Sequence, residues 1–303
     1  MEPPEPYPGI SFIVPVHNRL DCTRDFMSSF FATLGKIDYE LIIVDDCSSD
    51  GTAEYLAAFD HGKVRVFTNP ERSGYARSVN RGAELARGQL LGLLNNDLVL
   101  LPGWLEPMLE VYGNHLRVGA VGNIQKDIRT RAIDHAGVVF DLIGLPDHYG
   151  KNYPFIFPFR YREFPAVTGA CMMIRRRLFL GLGGFDERFH NGCEDIDLCL
   201  RLGQRGFRHI VAGKSVVLHH VSASPGRRAR DNQNNQLLLK TWGRELRKLG
   251  QKDWPFQYLM RYWNIPWRYN GPKLIDAILR LLRLRSGDSK WAVSKRAELL
   301  EIR

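Results

Sequence analysis

The order of apolar and amphipathic segments predicts an α/β fold: a mostly parallel, Rossmann-like sheet flanked by helices, followed by a helical, basic C-terminal extension. Three observations carry this. Apolar runs and helical patterns alternate as βαβαβαβα over the first 112 residues. Runs such as Leu41-Ile42-Ile43-Val44 are apolar without alternation, as parallel strands covered on both faces require. The charge and tryptophan content then changes abruptly near residue 230. From Lys240 to Arg303 there are fifteen Lys plus Arg against six Asp plus Glu, so the whole net charge of +9 lies in this tail, together with five of the six tryptophans (Trp242, Trp254, Trp263, Trp267, Trp291).

In order, Ile10–Val16, Tyr39–Val44, Val64–Phe67 and Leu90–Leu94 read as strands, each followed by a helix: Asp21–Leu34, Thr52–Phe59, Tyr75–Ala86 and Pro102–Tyr112. Pro102 suits the first turn of the fourth helix, where no backbone donor is needed. Beyond residue 114 the pattern loosens. Val118–Ile124 and Ala136–Phe140 read as strands, Leu145–Phe164 as a long aromatic loop and Val167–Ile174 as a strand. The Gly183-Gly184 turn supplies positive φ to present Phe185 and Asp186. A helix opens at Glu194, and His209–Val211 and Val216–Leu218 are two short strands. Residues 1–230 are expected to form one catalytic and nucleotide-binding domain, and 231–303 the helical extension.

Composition excludes several classes. Met1–Gly9 is acidic and proline-rich, unlike a secretory signal, and no apolar run is long enough to span a bilayer. The five cysteines form no C-x-x-C pair, which favours reduced thiols and a cytoplasmic setting. No Gly-x-Gly-x-x-Gly follows the first strand and no glycine-lysine phosphate loop exists, so dinucleotide and P-loop enzymes are disfavoured. The tail lacks zinc-finger and RNP signatures, so nucleic acid is not expected as a partner.

Ligands of open α/β sheets bind outside the carboxyl ends of the strands, and here those ends are polar. The first ends Val14-Pro15-Val16-His17-Asn18-Arg19, the second Val44-Asp45-Asp46-Cys47-Ser48-Ser49-Asp50-Gly51-Thr52, and the fourth Leu94-Asn95-Asn96-Asp97. About a hundred residues later come Gly183-Gly184-Phe185-Asp186-Glu187-Arg188-Phe189 and Cys193-Glu194-Asp195-Ile196-Asp197. Two separated acidic clusters suit a reaction in which one carboxylate holds a metal on a leaving pyrophosphate and another deprotonates an attacking hydroxyl. Glu194 and Asp197 share a helix face that excludes Asp195, while Ile196, Cys199 and Leu200 form its apolar stripe. Asp50 reads as a helix cap.

These motifs, with Asn69-Pro70-Glu71-Arg72-Ser73-Gly74-Tyr75-Ala76 and Asn80-Arg81-Gly82 between them, occur in an order that resembles family 2 glycosyltransferases of the GT-A fold over residues 10–225. The resemblance implies a nucleotide-diphosphate-sugar donor, inversion at the anomeric carbon and a divalent cofactor, Mn²⁺ or Mg²⁺. By position it implies a nucleotide site of Pro15, Val16, His17, Asn18, Asp46, Gly74, Asn95, Asn96 and Asp97, with Gly74 closing over the nucleoside. Asn95-Asn96-Asp97 stands where the family has Asp-x-Asp, leaving Asp97 as the direct metal ligand. His219, rather than His220, would complete the metal site. Asp195 maps to the catalytic base, and Thr168, Gly169 and Glu194 to the sugar and acceptor side. Arg227, Arg228 and Arg230, in an expected loop, would balance the diphosphate charge or lie solvated. The donor implied by analogy is a UDP- or dTDP-sugar, a rhamnose donor included, and the acceptor a glycan or lipid-linked hydroxyl of a bacterial surface polysaccharide.

Within the tail, Leu274, Ile275, Ile278, Leu281 and Leu282 fall on one helical face, with Lys273, Asp276, Arg280 and Arg283 opposite. This basic amphipathic segment, 273–285, suits either packing on the catalytic domain or on a second copy in a homodimer, or peripheral contact with the inner face of the cell membrane.

Overall fold

A computed structural model describes residues 9–59, 62–220 and 227–301. Its first half follows the expected alternation: β1 (Ile10–Val16), α1 (Leu20–Thr33), β2 (Tyr39–Asp45), α2 (Thr52–Ala57), β3 (Val64–Thr68), α3 (Tyr75–Leu85) and β4 (Leu90–Leu94). A short β5 (Leu98–Leu100) intervenes before α4 (Glu106–Asn114), then β6 (Val118–Asp127), β7 (Ile133–His135), β8 (Val138–Phe140), β9 (Pro146–His148), β10 (Tyr161–Phe164) and β11 (Cys171–Arg175). After α5 (Arg176–Gly181) and α6 (Glu194–Gln204) come β12 (Arg208–His219), α7 (Arg227–Tyr262), α8 (Gly271–Leu281) and α9 (Lys290–Leu299), with a 3-10 turn at Pro266–Arg268.

The main sheet runs β10-β12-β6-β11-β4-β1-β2-β3, with β5 beside β12 and β7 beside β6. Strands β4, β1, β2 and β3 are parallel, as are β6 and β12, while β11 runs antiparallel between β4 and β6. Core residues alternate between the two faces. Ile13, Ile42, Val44, Leu91 and Leu93 pack with α3 and α6, whereas Phe12, Val14, Leu41 and Ile43 pack with α1 and α4. Close approach at the first face requires Gly82, where a Cβ would come within 2.5 Å of the Ile13 side chain.

Several boundaries differ from the sequence reading. Pro102 does not begin a helix: Leu98–Leu100 pairs with β12, and α4 starts only at Glu106, with a proline, Pro107, in its first turn. The 145–164 segment is not a continuous loop, since β9 pairs with β8 and β10 with the sheet edge. The strand expected from Ala136 begins at Val138, after Gly137 at φ 126°, and the strand expected from Val167 begins at Cys171. The two short strands near 209–218 are one strand, β12, with a register shift between Ala212 and Val216 that breaks its apolar pattern. Arg227, Arg228 and Arg230 lie in the opening turn of α7, not in a loop.

The tail packs on the sheet's outer layer. Leu238, Leu239, Trp242 and Leu246 of α7 share a core cluster with β4 and α6 residues. Further along, Trp254 and Tyr258 meet Ala277 of α8, Ala292 of α9, and Leu142 and Ile143. Among the described residues no helix is long and apolar enough to cross a membrane.

Candidate active site

The ends of β1 and β2 are tied side by side. His17 Nδ1 lies 2.7 Å from the Asp46 carbonyl, the Asn18 amide donates to Ser48 Oγ at 2.8 Å, and Asn18 Oδ1 accepts from the Ser49 amide at 2.8 Å. Asn18 adopts a left-handed conformation to make this turn, and Pro15 and Val16 are buried beneath it. Asp50 is not the N-cap of α2, a position held by Gly51, but it accepts from the amides of Thr52 and Leu20, the first residues of α2 and α1.

Both oxygens of Asp46 are engaged by the chain itself. Oδ1 accepts from Asn69 Nδ2 and the Ser73 amide, and Oδ2 from the Gly74 amide, all within 2.8 Å. One carboxylate thus folds the 69–74 loop toward the strand ends, and Gly74, at φ 86°, turns that loop into α3. Neighbouring Asp45, absent from the sequence-derived site, keeps one buried carboxylate oxygen, Oδ2, without a hydrogen-bond partner. Such an orphan calls for a ligand or water.

Beyond β4, the three residues of Asn95-Asn96-Asp97 point different ways. Asn96 Nδ2 donates to Thr23 of α1 at 2.9 Å, while Asn95 Oδ1 is buried without a partner. Asp97 Oδ1 faces His219 Nε2 at 3.3 Å. His220 turns the other way, its Nε2 3.7 Å from Asp25 and its amide donating to the Asp97 carbonyl. Pairing of β5 with β12 brings Asp97 and His219 together, because Leu98 sits opposite His219 in the register.

Behind His219 stands a polar cluster that sequence reasoning missed. Asp134 Oδ2 lies 3.8 Å from His219 Nδ1, and Lys151 holds the other Asp134 oxygen at 2.6 Å. His148 approaches the Asp134 carbonyl and His135 Nδ1, each at 3.2 Å. The signal was present as two Asp-His pairs, Asp134-His135 and Asp147-His148, but pairing through β7 and β9 is what makes them one cluster. Burial opposes the charge on His219, yet Asp134 and Asp97 outweigh it and raise its pKa to about 9. Burial likewise opposes ionisation of Asp134, but His219 and Lys151 hold it well below the usual carboxylate range. Burial lowers both His135 and His148.

At the head of α6 the three acids separate. Asp197 is structural: Oδ2 pairs with Arg201 at 2.7 Å and Oδ1 accepts from Trp242 Nε1 at 2.8 Å. Glu194 is buried and accepts from the Gly192 amide at 2.6 Å. Asp195 lies on the other face, accepting from the Gly169 amide at 2.7 Å and its neighbour Ile196 at 2.8 Å. Desolvation raises the Asp195 pKa, against the lowering effect of those two amides and of His148. Thr168 Oγ1 accepts from the Ala170 amide at 3.3 Å, and Gly169 passes so close that a Cβ would sit 3.1 Å from the Tyr75 hydroxyl. Gly183 and Gly184, at φ 78° and 70°, form the expected turn.

Tyr75 joins the halves. Its hydroxyl donates to the Gly169 carbonyl at 2.9 Å and its amide to Asn191 Oδ1 at 3.0 Å. Desolvation raises its pKa well above the usual value, and the charges of Glu194, Asp195 and Asp97 add to that. The Asn95 amide also donates to the Ala170 carbonyl at 2.9 Å, so pairing of β4 with β11 sets the Asn95-Asn96-Asp97 turn beside the 168–170 segment that holds Asp195.

A divalent cation fits the Asp97–His219 pair. Asp97 Oδ1 is buried without a hydrogen-bond partner and His219 Nε2, 3.3 Å away, is the ring nitrogen that faces it, so a carboxylate and an imidazole would be available to Mn²⁺ once the metal displaces the ring proton. Among the described residues no three His, Cys, Asp or Glu side chains enclose a metal on their own. Two protein donors therefore leave the remaining positions to a ligand such as a diphosphate.

Comparison with known proteins agrees with this architecture. Residues 11–182 match the model of glycosyl transferase family 2, and residues 152–223 match a second one, glycosyltransferase like family 2. An O-antigen biosynthesis protein of Myxococcus xanthus is 33% identical over 72% of the chain and 18% of its own length. An N-acetylglucosaminyl-diphospho-decaprenol L-rhamnosyltransferase of Mycobacterium tuberculosis is 29% identical over 62% of the chain and 68% of its own. The chain thus spans less than a fifth of the first relative. Among solved structures, GalNAc-T7 with UDP, GalNAc and Mn²⁺ superposes with a TM-score of 0.61 at 19% identity, covering 80% of this chain and 49% of that one. A Pyrobaculum calidifontis mannosyltransferase with GDP-mannose and Mn²⁺ gives 0.60 at 18% identity, over 97% and 80%. With the family motif matched across more than half its length and the sheet topology shared with these transferases, the chain belongs to glycosyltransferase family 2 and has the GT-A fold.

Proposed function

We propose that the protein is an inverting transferase that moves a sugar from a UDP- or dTDP-sugar to a hydroxyl of a glycan or lipid-linked acceptor in bacterial surface polysaccharide synthesis. The observation that carries this reading is that pairing of β4 with β11 sets the Asn95–Asp97 turn, with His219 beside it, against the 168–170 segment that holds Asp195. An inverting displacement needs two opposed functions, charge neutralisation at the leaving diphosphate and proton removal at the incoming oxygen. Asp97 and His219 would hold the divalent ion, Mn²⁺ or Mg²⁺, which supplies Lewis-acid stabilisation of the departing diphosphate.

The chain's own groups do the rest. The ends of β1 and β2 and the loop folded by Asp46 surround the nucleoside, where the orphaned Asp45 oxygen is suited to accept from a base N–H. Asp195, held by two backbone amides, receives the acceptor proton, and its raised pKa brings it nearer the working pH of a general base. Thr168, Gly169 and Glu194 would contribute to the sugar and acceptor side. The rhamnosyltransferase relative supports a lipid-linked acceptor, and the two solved transferases support a nucleotide-sugar donor with Mn²⁺.

Calorimetric titration with UDP, dTDP and GDP, with and without Mn²⁺, tests the reading. Metal-dependent binding of one pyrimidine diphosphate is expected, with a matching rise in melting temperature. Folded protein that binds none of them refutes it in favour of a partner-binding role.

A further inference from the structure

The amphipathic helix of the tail is mounted with its polar side inward. Asp276 and Arg280 of α8 are 1% and 8% exposed, whereas Ile275, Ile278, Leu281 and Leu282 are 58%, 42%, 48% and 62% exposed. The inner side is a closed polar network. Asp276 Oδ1 accepts from Arg280 Nε at 2.9 Å and Arg285 Nη1 at 3.2 Å, its Oδ2 accepts from the Ser289 hydroxyl, and Arg280 also donates to the Gly287 carbonyl and Ser289 Oγ at 2.8 Å. Ala277 packs against α7 beside Trp254 and Tyr258. Rotating the helix to bury its leucines would break a buried, paired charge, so these contacts fix the apolar side outward. At 100° per residue, Ile275, Ile278, Leu281 and Leu282 fall within roughly 120° of the helix circumference. Exposed Trp263, Trp267 and Leu284 flank them in the chain.

Charge is equally one-sided. Between Trp254 and Gly287 the sole carboxylate is Asp276, which is buried and paired, while Arg261, Arg268, Lys273, Arg280, Arg283 and Arg285 are cationic. Arg268 and Arg283 are exposed, and Lys273 rests over the Trp291 ring at 4.1 Å. We propose that this face docks on an anionic lipid bilayer, with the aliphatic side chains and tryptophans in the interfacial layer and the arginines at lipid phosphates. A second copy fits less well. A twofold contact through this patch would bring the exposed Arg268 and Arg283 of the two copies into one interface, with no exposed carboxylate from the segment to pair them. At eleven residues α8 is too short to span a bilayer, so the contact is peripheral. The inference rests on the tail alone and is independent of the transferase reading.

The test is co-sedimentation of the full chain with phosphatidylcholine vesicles containing or lacking phosphatidylglycerol, at low and high salt. Binding to the anionic vesicles is expected, weakened by salt and accompanied by a blue shift of tryptophan emission. The doubles Ile278→Asp/Leu282→Asp and Arg268→Glu/Arg283→Glu change exposed side chains only, and each should weaken partitioning by about tenfold or more with an unchanged melting curve. Absence of binding to anionic vesicles overturns the proposal. So does equal binding to neutral ones, or a concentration-dependent dimer abolished by Ile278→Asp/Leu282→Asp in a chain that ignores vesicles.

Discussion

Replacing Asp195 by asparagine tests the chemistry most directly, because the change is nearly isosteric and its side effects can be worked out. Loss of a general base costs about 10²- to 10⁴-fold in rate, or roughly 2.7–5.5 kcal/mol of barrier. The local cost is smaller. Asp195 accepts from two backbone amides, Gly169 on one oxygen and Ile196 on the other. An asparagine can satisfy only one, since its NH₂ must face the other donor, a loss of about 1 kcal/mol. Against this, the substitution removes a desolvated charge. A carboxyl whose folded pKa is raised gives stability that is complete below its unfolded pKa, near 4, and is lost as pH rises through the folded value. Relative to wild type, the variant should therefore gain stability as pH climbs from about 4 through that value. The assay is steady-state transfer to a lipid-linked or simple glycan acceptor, with nucleotide affinity measured by calorimetry. Expected are kcat/KM down by about 10²-fold or more, diphosphate affinity within about twofold, and in wild type an acid limb of kcat/KM above the ordinary aspartate range. Turnover within about tenfold of wild type would refute the assignment of Asp195 as the base.

Further substitutions separate the remaining roles. Asp97→Ala should weaken Mn²⁺-dependent nucleotide binding by at least about tenfold while leaving any metal-independent component intact, as read by calorimetry with and without chelator. Asp134→Asn should lower Mn²⁺ affinity by about 10- to 100-fold through loss of the carboxylate behind His219, and the manganese paramagnetic-resonance signal provides a readout separate from turnover. Trp242→Phe removes the donor to buried Asp197, so a loss of about 1–3 kcal/mol in denaturant unfolding is expected, with nucleotide affinity unchanged.

How much of this was legible in the sequence depended on the range of the interaction. Among the four parallel strands, β1, β2 and β4 were legible because they are largely buried on both faces and read as mainly apolar runs, edge strand β3, broken by Arg65, because it falls in turn in the alternation, and α6 because its apolar stripe and acidic first turn coincide within one helix. Leu98–Leu100 was not, since a three-residue strand has no periodicity of its own and exists only by pairing with β12. Nor was the single β12 legible, because its register shift interrupts the apolar pattern with Gly213-Lys214-Ser215. In the site, Asp97, Asp195 and His219 could be named from motifs. Asp134, Lys151 and His148 could not: Asp134 reaches His219 from β7, a three-residue strand with no periodicity of its own, and Lys151 and His148 reach Asp134 from the 145–164 segment that reads as loop. Tyr75 carried no signal either: its importance comes from hydroxyl contact with Gly169, 94 residues away. The tail helix shows the limit of amphipathicity as a guide. The pattern identified the two faces, but which one turns inward was decided by the partners of Asp276 and Arg280.

That orientation also bears on how the site meets its acceptor. One helix, α7, touches both functions. Near its start, Asn234 clamps His190 from both sides, donating to its carbonyl and accepting from its amide at 3.0 Å, and Trp242 holds Asp197 two residues beyond Asp195. Near its end, Trp254 and Tyr258 form the seat of α8. The loop before Asp195 and the outward apolar face are thus braced by the same element. Its thirty-six residues would span about 54 Å if straight, with Pro255 as the point where the backbone ladder is interrupted. If α8 docks on lipid and Asp195 is the base, as proposed, bracing of α6 and α8 by this one helix would keep Asp195 at a set distance from the bilayer. For a hydroxyl presented on a lipid-linked carrier, that distance decides which sugar along the carrier's chain can reach Asp195. On the proposed bilayer docking, acceptor length would be set by the tail as well as by the residues around Asp195.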